Sequence, residues 1–262
     1  MIRSYSDHIQ RWATGLALLF LSFTATAQPL QLCHDAAVDP KYEPSVTIGA
    51  YNVTGLHNVV TLQVLTRLGI EFQLHSMPWV RCLHAVTKGD VDGAIGVGWS
   101  SERATSMHFP QQPNGEPDPA RALFSVNYYV YSLKQGNLQW DGQRFRQVKF
   151  GIAAPKGFIV SQQLQQLGVY NPIDAEIDAA IMLTVNRRLD GFVQSRTVAE
   201  GQLAVSKDAS LIQRLEPVFF RQHLYLTFSH QAMQRNPEQL RQIWQHLQTT
   251  RSQIPAAPTP ES

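Results

Sequence analysis

The sequence predicts an α/β protein of two similar lobes that face each other across a cleft. Three observations lead there. Helix-like apolar segments alternate with short strand-like runs, the pattern of βαβ units and a largely parallel sheet. One short design occurs twice: Lys88-Gly89-Asp90-Val91-Asp92-Gly93-Ala94-Ile95-Gly96-Val97, and again Arg187-Arg188-Leu189-Asp190-Gly191-Phe192-Val193-Gln194-Ser195. Each copy leaves a helix-like segment, turns through a charged patch and an Asp-Gly pair, and enters a short buried strand. Two such steps suggest two α/β lobes and a cleft between them; since Asp-Gly turns are common, the echo alone also reads as coincidence. Third, removing 27 leader residues from 262 leaves 235, enough for one large core or two smaller ones.

The leader is read from Arg3 and Arg11, which precede an apolar run from Ala13 to Phe23 and the small-x-small stretch Ala25-Thr26-Ala27. The run is too short to span a bilayer comfortably. The sequence therefore predicts export, with residues 1–27 as signal peptide and a soluble periplasmic chain starting near Gln28. Without Arg3, Arg11 and Asp7 the mature chain keeps 20 basic and 19 acidic residues, a net charge of +1. No basic stripe is present, which argues against a nucleic-acid partner. Cys33 and Cys82 form an even pair, which in an oxidising compartment reads as a disulfide; two buried free thiols are the alternative.

The elements follow in order. Leu30 to Cys33 and Val46 to Ile48 are strand candidates. A helix runs from near Asn58 to Leu68 and stops at Gly69. Ile70 to Leu74 alternates like a strand with one wet face. Pro78 opens a helix over Trp79 to Lys88, and Gly89 ends it. The strand Ala94 to Val97 follows. Gln111 to Ala120 holds three prolines and reads as a surface loop. Ser125 to Leu133 is a long strand, Gln135 to Gln143 is turn-like, and Val148 to Ala153 is a strand. Pro155-Lys156-Gly157 turns into a helix ending near Gly168. Asp178 to Val185 is a helix leading to the second Asp-Gly strand. Phe219 to Phe228 is strand-like. In the last helix Asn236 caps, Pro237 takes the first position, and Leu240, Ile243, Trp244 and Leu247 share one face. Residues 253–262 read as a disordered tail.

The stretch from Met77 to Pro110 carries a resemblance. Pro78-Trp79-Val80-Arg81-Cys82-Leu83, then Gly89-Asp90-Val91-Asp92-Gly93, Ser101-Glu102-Arg103 and Phe109-Pro110 resemble the type 2 periplasmic solute-binding proteins of the polar-amino-acid-binding kind, solute-binding protein family 3. The order of elements is also similar over most of the mature chain. The resemblance implies a periplasmic binding protein-like type II fold: two mixed-sheet lobes joined by two crossing strands. It places the crossings near Val126 to Tyr131 and Phe219 to Leu226. Residues 28–127 and 222–252 would form the first lobe and 128–221 the second.

The resemblance also implies a site. Arg103 stands where the family pairs an arginine with a ligand carboxylate, and its planar fork takes both oxygens at once. Gly98, Trp99, Ser100 and Ser101 line the same turn; a plain serine helix cap is the alternative. Trp79 either stacks on a ligand or packs against the cysteines, and Arg81 begins the same helix. In the second lobe Gly157 and Phe158 stand where the family has Gly followed by Ser or Thr at a helix N-terminus, a place for anionic groups. Phe158 supplies no hydroxyl. Ser195 stands where amino-acid binders carry an aspartate for the ligand ammonium. Both departures bear on whether the ligand carries an amine. Tyr51, Tyr128 and Tyr129 are candidate aromatic walls.

The function expected is capture of a small polar or carboxylate-bearing solute for an ABC-type importer, by a monomer without cofactor, metal or catalytic residues. Two alternatives stay open: a dehydratase-like enzyme on the same fold, and a periplasmic sensor acting on a membrane receptor. For the enzyme the acid–base candidates are Glu102, His57 and His108. Asp92 and Asp190 read as turn residues. No metal-ligand spacing, dinucleotide fingerprint, phosphate loop or Gly-x-Ser-x-Gly elbow occurs.

Overall fold

The computed structural model describes residues 28–36 and 45–253. The expected signal peptide, residues 1–27, and residues 254–262 of the expected tail lie outside the described residues. Gln253, expected in that tail, still belongs to the last helix.

The chain opens with β1 (Leu30–Asp35), the hairpin β2 (Ser45–Ile48) and β3 (Tyr51–Thr54), α1 (Leu56–Arg67), β4 (Phe72–Met77), α2 (Trp79–Lys88) and β5 (Gly93–Gly98). Gly69 and Gly89 end the two helices with φ of +65° and +79°, the left-handed backbone that glycine adopts without strain. Strand α/β alternation continues through α3 (Ser101–Ser106), β6 (Phe124–Leu133), the small hairpin β7 (Gln139–Trp140) and β8 (Phe145–Arg146), β9 (Ile152–Ala153), α4 (Ile159–Gln166), α5 (Ile177–Val185), β10 (Gly191–Ser195) and α6 (Arg196–Val205). A long β11 (Ile212–Phe228), α7 (His230–Arg235) and α8 (Pro237–Gln253) complete it.

The main sheet runs β4-β1-β5-β11-β6-β10-β9. In one half β4, β1 and β5 are parallel and β11 is antiparallel to them; in the other β9 and β10 are parallel and β6 is antiparallel. β6 and β11 pair with each other along both halves, with a register shift between Leu215 and Phe220. They are the two crossing strands, and β11 begins seven residues earlier than the Phe219 expected from sequence. The two lobes thus share one hydrogen-bonded sheet.

The repeated Asp-Gly step is one device used twice. The Asp92 carboxylate accepts the Gln31 N–H at 2.8 Å, and the Asp92 N–H donates to the Gln31 carbonyl at 2.7 Å. Asp190 does the same in the other half: its N–H donates to the Gly151 carbonyl, and its carboxylate accepts the N–H groups of Lys149, Phe150 and Gly151 at 2.7, 2.6 and 2.8 Å. Those N–H groups are thereby withdrawn from a ladder, which is why the strand expected over Val148 to Ala153 shrinks to Ile152–Ala153. After each Asp, a glycine abuts a crossing strand. A Cβ on Gly93 would stand 2.4 Å from the Thr227 carbonyl oxygen, and one on Gly191 2.4 Å from that of Tyr131.

Packing follows the sequence patterns. Leu240, Ile243, Trp244 and Leu247 of α8 are all buried, against α1, β1, β5 and β11. Each such side chain contributes about 2 kcal/mol by leaving water. On the opposite face Cys33 and Cys82 form a disulfide, 5.7 Å between Cα atoms, packed among Trp79, Ala94, Val97 and Tyr225. The other half has clusters on both faces, with Tyr131 stacked on Phe192 at 5.3 Å. No helix among the described residues is long and apolar enough to cross a membrane.

Candidate functional site

β5 and β10 both end at the seam between the halves. Beyond β5, Ser100 caps α3, its hydroxyl accepting the Arg103 N–H at 3.2 Å. That fixes the first turn and turns the Arg103 side chain inward, where it is only 9% exposed. Its Nη1 donates to the Gly98 carbonyl at 2.9 Å, and its Nη2 crosses the seam to the Gly157 carbonyl at 2.5 Å. Burial lowers its pKa to about 10, so the guanidinium stays charged at neutral pH. Among the described residues no ion pair joins Arg103 to a carboxylate.

Around this cation lie polar groups from the crossing strands. Gln222 of β11 reaches over Gly98, where a Cβ would stand 2.4 Å from Gln222 Oε1. The Gln222 amide donates to the Tyr128 hydroxyl at 3.4 Å, while its Oε1 is buried without a partner. Tyr128 of β6 is buried and its pKa is pushed up to about 12, chiefly by burial; the Gln222 hydrogen bond and the Arg103 charge act against the rise, and the Asp35 charge adds to it. Tyr128 is the register partner of Ser195, which is buried, ends β10 and is the N-cap residue of α6. The indole N–H groups of Trp79 and Trp99 are buried without partners.

The sequence-derived set divides as follows. Arg103, Gly98, Ser100 and Gly157 are joined directly by hydrogen bonds. Of the two roles expected of Trp79 the structure shows the packing one, beside the disulfide, and its ring also meets Phe158 at 5.8 Å. Trp99 packs on the same cluster. Ser195 lies beside Tyr128. Ser101 and Arg81 are exposed. Tyr51 does not join the group: its hydroxyl donates to the Phe72 carbonyl and its ring stacks on Phe72, on β4 at the outer edge of the sheet. Tyr129 lies under the Arg214 guanidinium at 4.7 Å, in the second half's charged network of Arg196, Glu200, Arg214 and Glu216. Gln222 was not foreseen. It reaches the site only because Gly98 has no side chain, and no spacing in the sequence signals that.

The acid–base candidates are scattered. Glu102 is exposed and accepts from Gln162 at 3.4 Å. His108 contacts His230, nitrogen to nitrogen, at 2.8 Å. His57 lies on α1 against Gly96 and Phe124. No group of three or more metal-binding side chains occurs among the described residues.

No protein-family profile matches the sequence, and no curated protein matches it by sequence. Solved structures do match in shape. The chain is similar to the arginine-, lysine-, histidine-binding protein ArtJ from Geobacillus stearothermophilus, at 17% identity and TM-score 0.63, over 86% of this chain and 90% of that one. It is similar to a histidine kinase sensor domain with similarity to periplasmic binding proteins, at 15% identity and TM-score 0.64, over 86% and 91%. It is also similar to the amino acid ABC transporter substrate-binding protein AbpA from Streptococcus pneumoniae, bound to L-arginine, at 15% identity and TM-score 0.58, over 85% and 95%. At these identities the likeness is one of fold: the chain has the two-lobed α/β fold of periplasmic binding proteins.

Proposed function

We propose that this chain is a periplasmic solute-binding protein that captures a small carboxylate-bearing solute between its lobes for an ABC-type importer. One observation carries the reading: a buried, charged Arg103 at the seam, hydrogen-bonded to neutral carbonyls and, among the described residues, to no carboxylate. A guanidinium so placed is a ready partner for a carboxylate, and exclusion of water strengthens the pair. The neighbours' own ligands, basic amino acids in ArtJ and L-arginine in AbpA, support the solute class. Ser195, neutral at the end of β10, favours an acid without a paired ammonium at that point. The leader supports the periplasm. Catalysis is not part of the reading, since Asp92 and Asp190 are engaged by backbone N–H groups and the acid–base candidates do not converge.

A second reading, a ligand sensor acting on a membrane receptor, is favoured by the likeness to a kinase sensor domain. The recognition step is the same in both. The test is a thermal-shift screen of amino acids and small carboxylates on refolded, ligand-free protein, followed by the best ligand on Arg103→Ala. Stabilisation by carboxylates that is lost in the variant is expected. A broad screen without stabilisation, or binding untouched in Arg103→Ala, overturns the reading.

A further inference from the structure

Arg103 already holds an oxygen from across the seam. The Gly157 carbonyl that accepts its Nη2 belongs to the turn before α4, in the opposite half. The next residue, Phe158, meets the Trp79 ring at 5.8 Å and packs on the apolar clusters of both halves. A Cβ on Gly157 would stand 2.9 Å from Val80 Cγ2 and 3.5 Å from Trp79 Cδ1, so backbone from one half abuts side chains of the other. We infer that Gly157 and Phe158 form an internal latch. The carbonyl takes an anion's place on Arg103, the ring fills the adjoining space, and the chain closes on itself; a solute must displace both.

The latch is an incomplete substitute. The Trp79 N–H, bonded to the Cδ1 that faces Gly157, is buried without an acceptor. An anion with two or more oxygens serves Arg103 and this donor together, whereas one carbonyl serves only the first. Latching also lowers apparent affinity, in proportion to the fraction of molecules held shut. The closure follows from the contacts alone; the competition with solute rests on the proposed function.

Small-angle scattering of the refolded chain, without added solute, tests the latch. Phe158→Ser is expected to increase the radius of gyration over the parent chain. Gly157→Ala is expected to do the same, because its methyl group meets Val80; Val80→Ala added to it removes that clash and is expected to restore the compact value, although the backbone strain at φ +78° remains and lowers the stability of both variants. Thermal unfolding of each variant identifies any that fails to fold, and the Gly157/Val80 pair decides if Phe158→Ser does. A parent chain as expanded as Phe158→Ser, or no expansion in either folded single variant, or no recovery in the double variant, overturns the latch. No solute enters these measurements, so their failure leaves the Arg103 screen standing, and the reverse also holds.

Discussion

Acidification should destabilise this protein chiefly through His57, with His34 acting in the same direction. His57 sits in the first turn of α1 with its Nδ1 buried and unpaired, against Gly96 and Phe124. Burial pushes its pKa from 6.5 down to about 4, and the neighbouring His34, itself lowered by burial, pushes the same way. The His34 Nδ1 faces the Asn58 amide at 3.3 Å, which favours the neutral ring. In the unfolded chain His57 titrates near 6.5, so below that pH the unfolded state binds the proton and the folded state does not. Stability from this group is complete above 6.5 and falls as the pH drops toward 4. The interval corresponds to a loss of about 3 kcal/mol. Urea unfolding across this window, on the parent chain and on His57→Gln, reads His57 together with its coupling to His34, because the groups not coupled to His57 cancel in the difference. The variant should be the less stable near neutrality if it packs poorly, yet its pH curve should be flatter by that amount. Parallel curves for the two proteins would refute the assignment.

Two further outcomes follow from the scaffold. Replacing Cys33 and Cys82 together by Ala opens a closed loop with a sequence separation of 49, which the chain-entropy view puts at about 4 kcal/mol; an unchanged denaturation midpoint would contradict it. Gly191→Ala places a methyl group 2.4 Å from the Tyr131 carbonyl oxygen and should cost about 2 kcal/mol or more by spreading the sheet. Gly168→Ala meets nothing within 4 Å and carries only the strain of φ +70°, about 1 kcal/mol. Equal losses in the two glycine variants, by chemical denaturation, would mean that close approach is not what Gly191 serves.

Much of the fold was legible because its signals are local. The stops at Gly69 and Gly89, the apolar face of α8 and the strands after each Asp-Gly step all appear within a few residues of sequence. α7 was not seen, and α3 only as the alternative of a serine helix cap, which Ser100 indeed forms; both are six residues and largely polar, held by serine caps rather than by an apolar stripe. The first part of β11 was hidden by Arg214, Glu216 and Pro217, which break an apolar run although the pairing with β6 goes on around them. At the candidate site the resemblance singled out Arg103, Gly98 and Gly157, which the structure joins by hydrogen bonds. The contact of Trp79 with Phe158 and the reach of Gln222 were not, because each joins segments distant in sequence whose meeting depends on how the halves close. Tyr51 shows the opposite error: an aromatic residue near a predicted cleft that packs instead at the sheet edge.

The matched halves explain why the site is charged as it is. Each inner strand is started by the same device, an Asp that gathers N–H groups of its parallel neighbour and a glycine that admits a crossing strand. β5 and β10 therefore deliver their ends to the same seam, from opposite sides, and each hands over to a helix. At the end of β5 stands α3 with the cationic Arg103; at the end of β10 stands the neutral Ser195 at the start of α6. The scaffold is symmetric where it sets strand positions and asymmetric where the two ends meet. A carboxylate at Ser195 would balance Arg103 and suit a zwitterion. Its absence there leaves the buried Arg103 charge with two neutral carbonyls as hydrogen-bond partners and no carboxylate in an ion pair among the described residues. The preference proposed for a carboxylate without a paired ammonium is thus a property of the departure from symmetry, and introducing an acidic side chain at Ser195 is the change that would erase it.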